Sequence, residues 1–126
     1  MLGAAAITAG ITTALKYSVK RDRPFVTYSD ITQKSSAGAP SFPSGHTSNS
    51  FAVATSVSIN YPKWYIIVPS YAWAGTVAYS RMSLGVHYPS DIVAGAWIGA
   101  GSAYLTHKVN HKLNKKRRIK PCDCPK

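Results

Sequence analysis

The chain has 126 residues, 15 Lys and Arg against 4 acidic residues, and a formal net charge of +11. That length holds one domain with a modest core, and excludes anything larger. The charge excess points to a polyanionic partner, whether nucleic acid, an anionic membrane surface or a phosphorylated substrate.

Four apolar segments follow in chain order, at residues 2–15 (ending at Lys16), about 47–61, 64–80 and 92–106. All are too long for ordinary strands and lack strand-like alternation, so four helices are predicted. No basic stretch precedes the first segment, so it does not read as a cleavable signal peptide. Between the first two segments, residues 17–45 carry Pro24, Gly38, Pro40 and Pro43 and read as a loop of the length that usually serves function. Pro62 ends the second segment, Pro69 is expected to kink the third, and Ser90 or Asp91 suits the N-cap of the fourth. Residues 108–126 hold 8 of the 15 basic residues and read as a fraying helix end and a solvated tail, leaving 1–107 as the helical domain. Cys122 and Cys124 lie in that tail as CxC, too close for an unstrained bridge. His107 and His111 fall in the same basic stretch and read as solvated.

The segments reach only the lower edge of the roughly 17–25 residues of a membrane span. Yet Lys63 is the sole charge between Lys34 and Arg81, Gly95 and Gly99 form a GxxxG, and Tyr61, Trp64, Tyr65, Tyr79, Tyr88 and Tyr104 cluster near segment ends. Small-residue helix contacts and interfacial aromatics are membrane features, so a helical membrane protein is expected.

Three polar clusters carry the chemistry: Lys16 to Pro24, Pro43-Ser44-Gly45-His46, and Ser80 to Asp91 with Arg81 and His87. Segment one ends at the first cluster, segment two starts at the second, segment three ends and segment four starts at the third. An up-down bundle therefore brings all three to one end. Lys16, Arg23 and Arg81 would surround a dianion, Arg by its planar fork and Lys as a point charge. Ser44 and Gly45 open a helix whose first N–H groups favour an anion. Asp91, four residues after His87, can hold one ring nitrogen and leave the other to attack phosphorus. His46 can then protonate the leaving oxygen. Hard cations want several carboxylate oxygens, and this chain has only Asp22, Asp30, Asp91 and Asp123, so no metal is expected.

The pattern KxxxxxxRP … PSGH … SRxxxxxHxxxD, met at Lys16, Arg23, Pro24, Pro43, Ser44, Gly45, His46, Ser80, Arg81, His87 and Asp91, resembles the three-part signature of the type 2 phosphatidic acid phosphatase superfamily. That superfamily also includes bacterial class A acid phosphatases and vanadium haloperoxidases. The resemblance implies an all-α fold, a helical bundle of about four long helices with its site at one end. It implies a metal-independent phosphatase of lipid phosphates or isoprenoid diphosphates, such as undecaprenyl diphosphate. In those terms His87 forms the phosphohistidine, Asp91 supports it and His46 protonates the leaving group. Lys16, Arg23, Ser44, Gly45 and Arg81 bind phosphate. No cofactor is implied, and vanadate is expected to inhibit. Membrane members typically carry about six spans, counted by hydropathy, which suggests either a C-terminal fragment or a reduced version lacking helices upstream of Lys16.

The partners expected are the lipid substrate and a membrane of the bacterial inner type, with no nucleic acid. The basic tail would stay cytoplasmic and the site face outside. Lys20 and Arg21 read as positive membrane flank. Two rivals remain: a vanadate-dependent haloperoxidase using the same pocket, and a basic membrane adaptor without catalysis.

Overall fold

The computed structural model describes residues 2–22, 27 and 41–118. Its helices are α1 (Leu2–Val19), α2 (Gly45–Asn60), α3 (Trp64–Ser83) and α4 (Pro89–Arg118), with no strand among the described residues. The protein is an all-α bundle. Helix α1 runs past Lys16, so Tyr17 to Val19, expected in the loop, are helical. Helix α4 continues to Arg118, through the stretch read as a fraying helix end. The added turns of α4 carry Lys108, Lys112 and Lys115, and Lys is a good helix former whose charge suits a helix C-terminus. Arg23 and Pro24, most of the following loop, Cys122 and Cys124 lie outside the described residues.

The start of α4 differs from expectation in an informative way. Pro89 takes the first helical position, where its missing N–H costs nothing. Tyr88 is therefore the cap: its carbonyl accepts from Asp91 N at 3.0 Å and Ile92 N at 3.3 Å. Asp91, expected as a cap candidate itself, sits in the first turn and reaches back, Oδ2 accepting from the Tyr88 N–H at 3.0 Å. This is the acidic half of a capping box.

Helix α2 is the centre of the bundle and packs on the other three, while α1 also packs on α4. Backbones touch where α4 crosses α2. A Cβ on Gly95 would lie 2.8 Å from the Ser44 carbonyl oxygen, and one on Gly99 would fall on the Ser48 carbonyl. The GxxxG thus does what small-xxx-small patterns do between closely packed helices.

The interior is built of small and hydroxylated side chains: Ala4, Ala52 and Ala103 with Thr8, Thr47, Ser48 and Ser102. The hydroxyls bond within their own helices, Ser48 Oγ to Ser44 O at 2.9 Å and Ser102 Oγ to Ile98 O at 2.7 Å, which removes the cost of burying them. The large apolar side chains face outward instead. Trp97 is 77% exposed and Trp64 76%, and Val68, Trp73 and Tyr79 are exposed as well. No helix among the described residues is long and apolar enough to cross a membrane.

Candidate active site

The third cluster owes its shape to the end of α3. Gly85 has φ 67°, a conformation costly for any residue with a Cβ. Its N–H bonds to Met82 O at 2.9 Å, closing the helix. The chain then turns inward, and Val86 and His87 are both buried.

Asp91 is fully buried and gathers groups from three parts of the sequence. Oδ1 accepts from Arg21 Nη1 at 2.9 Å. Oδ2 accepts from the Ser41 hydroxyl and the Tyr88 N–H. His87 Nδ1 lies 3.8 Å from Oδ2, within reach of a charge interaction but longer than a hydrogen bond. The Asp91 carbonyl in turn accepts from Ser44 N at 3.2 Å, which ties the start of α4 to the start of α2.

The second cluster is the N-terminus of α2. Ser44 is its fully buried N-cap, and its Oγ accepts from Thr47 Oγ1 at 3.0 Å. Gly45 and His46 are the first two helical residues, and the His46 side chain is exposed. The first N–H groups of a helix have no intrahelical acceptor and carry the positive end of its dipole. Lys16, in the last turn of α1, shares with Gly45 a polar cleft of about 160 Å³, also lined by Thr12, Thr13 and Asn49. Arg81, in the last turn of α3, has its Nε buried with no hydrogen-bond partner among the described residues.

Direct bonds thus join Asp91 to the chain before α2 and to α1's exit, with His87 beside it. Lys16 joins through its cleft with Gly45. Arg81 lies in the last turn of α3, ahead of the Gly85 turn that leads to His87. Arg23 lies outside the described residues. Sequence reading assigned Arg21 to a membrane flank and Tyr88 to an aromatic belt, and did not name Ser41; the structure puts all three at Asp91. Arg21 stood in the basic run beside the signature arginine, and a buried Asp requires a cation, but nothing in the sequence says which member of the run supplies it.

Residues 1–115 match the PAP2 superfamily. The chain belongs to that superfamily. A lipid A 4'-phosphatase from Bacteroides thetaiotaomicron is 41% identical over 76 residues, covering 60% of this chain and 34% of that protein. An undecaprenyl-diphosphatase from Sulfolobus acidocaldarius is 35% identical over 69 residues, covering 55% and 33%. The crystal structure of a transmembrane PAP2-type phosphatidylglycerolphosphate phosphatase from Bacillus subtilis superposes with a TM-score of 0.76 at 25% identity, over 96% of this chain and 59% of that one. This PAP2 chain therefore spans about a third of those two relatives and under two thirds of the solved structure.

Proposed function

We propose that the chain carries the catalytic end of a membrane-associated, metal-independent phosphatase acting on lipid phosphates or isoprenoid diphosphates. The observation that carries the proposal is the buried Asp91 hub, which binds the ends of α1, α2 and α4 together with His87 at its edge. Asp91 faces Nδ1 of His87, leaving Nε2 to attack. The attack forms an N–P bond and breaks the bond from phosphorus to the leaving oxygen, which takes its proton from His46. Water then attacks the phosphohistidine, His46 takes the water's proton, the N–P bond breaks and phosphate leaves. Lys16, Arg23, Arg81 and the first N–H groups of α2 stabilise the charge on the equatorial oxygens. The unpartnered Nε of Arg81 supports this role, because a buried donor costs free energy until an acceptor arrives.

Two features support the membrane. Outward Trp97, Trp73, Val68 and Leu105 make an apolar exterior that water does not favour. Lys108, Lys112 and Lys115 on the far end of α4 fit the cytoplasmic side, with the site on the outer face. The test is phosphate release from lipid phosphates and isoprenyl diphosphates in detergent. Turnover is expected in the native chain and none in His87→Ala of unchanged helicity. Full turnover in that variant would end the mechanism.

A further inference from the structure

Building on the proposed hydrolysis, we infer that Arg21, two residues before the signature Arg23, is a positioning residue for the attacking histidine. Its place is set by the backbone. Helix α1 stops at Val19, and Lys20 takes a positive φ of 45°, which turns the chain across the end of the bundle. The Arg21 carbonyl then accepts from Ser41 N at 2.7 Å, fixing the segment that leads into α2. Its guanidinium reaches the start of α4. Nη1 donates to Asp91 Oδ1 and to Ser90 Oγ, each at 2.9 Å, and the group lies 4.1 Å from the centre of the Tyr88 ring.

These contacts hold the residues next to His87, Tyr88 in sequence and Asp91 in space. Tyr88 caps α4, and Asp91 faces Nδ1 of His87. Arg21 holds both with one planar group, by a hydrogen-bonded ion pair on one side and stacking on the other. Asp91 has no exposure and needs a counter-charge. The Arg21 side chain, 39% exposed, supplies it from the rim. Arg21 therefore serves the carboxylate, a role apart from the phosphate contacts proposed for Lys16, Arg23 and Arg81. A merely structural ion pair at the rim would matter little to any rate, so kinetics decide.

The experiment measures kcat and KM for phosphate release by Arg21→Ala and Arg21→Lys, with and without low millimolar guanidinium and with sodium chloride as the salt control. Outer partners of reacting groups typically matter by roughly 10- to 100-fold, so Arg21→Ala should lose that much in kcat. KM should move by less than about threefold, since the interaction acts through His87 rather than on bound substrate. The exposed rim leaves room for guanidinium, which should restore part of kcat in Arg21→Ala and none in the native chain. Arg21→Lys keeps the charge without the fork and should fall between. Unchanged kcat, a loss confined to KM, or no rescue in a folded Arg21→Ala would overturn the inference. If Arg21→Ala does not fold, Arg21→Lys with native kcat overturns it and a reduced kcat at native KM supports it. An inactive His87→Ala beside a fully active Arg21→Ala would remove this inference alone; an active His87→Ala would remove the hydrolytic reading itself.

Discussion

Alanine at Gly99, Gly95 and Gly101 on α4 tests the crossing that places the site. At Gly99 the new Cβ falls on the Ser48 carbonyl and within 3.0 Å of Ala52 N. Both are backbone, so the helices must part. Overpacking of this kind costs about 1–3 kcal/mol, and a rigid neighbour puts it at the upper end. Alanine's helix propensity over glycine returns about 1 kcal/mol, so Gly99→Ala should destabilise by about 2 kcal/mol. Gly101 has nothing within 4 Å, and alanine there should stabilise by about 1 kcal/mol. The two variants should differ by about 3 kcal/mol, on the order of 100-fold in the unfolding constant. At Gly95 the Cβ meets the Ser44 carbonyl at 2.8 Å; relief needs roughly half an ångström of separation, to restore ordinary contact distance. Because Ser44 caps the helix proposed to receive phosphate, and misplacement by about 1 Å can cost about 100-fold in rate, Gly95→Ala should lower kcat by roughly tenfold. The assays are denaturant unfolding in detergent for Gly99 and Gly101, and phosphate release for Gly95. Equal stability of Gly99→Ala and Gly101→Ala would mean that α2 and α4 do not meet there.

Asp91→Asn keeps the side-chain shape but turns an acceptor toward donors from Arg21, Ser41 and Tyr88 into a half-donor. Turnover should fall by roughly 10²- to 10⁴-fold, as when a histidine loses its orienting carboxylate; a loss under threefold in steady-state kinetics would detach Asp91 from the chemistry. EDTA should leave phosphate release unchanged, and vanadate should inhibit it. Inhibition by EDTA that added divalent metal reverses would contradict the metal-independent mechanism, and halide oxidation in the presence of vanadate would favour the haloperoxidase rival.

The bundle was legible because four uncharged segments of helical length leave little else to build, and because alternating directions bring three clusters to one end whatever the packing detail. A close helix contact on α4 was legible in Gly95 and Gly99, since a pair of glycines one turn apart removes side chains from one stripe; that α2 is the partner was not. The cap of α4 was not. Ser90 and Asp91 both looked like caps, but Pro89 prefers the first helical position and moved the cap to Tyr88, turning Asp91 inward. Arg21 was not legible for a related reason. That Arg21 meets Asp91 depends on the positive φ at Lys20, and that angle has no signature in the sequence.

The distribution of side chains accounts for the low mean hydropathy of these helices. The faces turned inward on α2 and α4 carry Thr47, Ser48, Thr55, Ser56, Gly95, Gly99 and Ser102, which lower any window average although the hydroxyls of Thr47, Ser48, Thr55 and Ser102 bond internally. The outward faces carry Val53, Val93, Trp97, Tyr104 and Leu105. Small inward residues let α4 ride against α2 at backbone contact, and that contact holds the Ser44 N–H on the Asp91 carbonyl. The composition that depresses mean hydropathy is therefore the same one that lets two helix N-termini meet at Asp91, the start of α2 on its carbonyl and the start of α4 on its carboxylate. A bundle packed with Leu and Phe would satisfy a hydropathy window, but its wider helix spacing would separate Ser44 from Asp91.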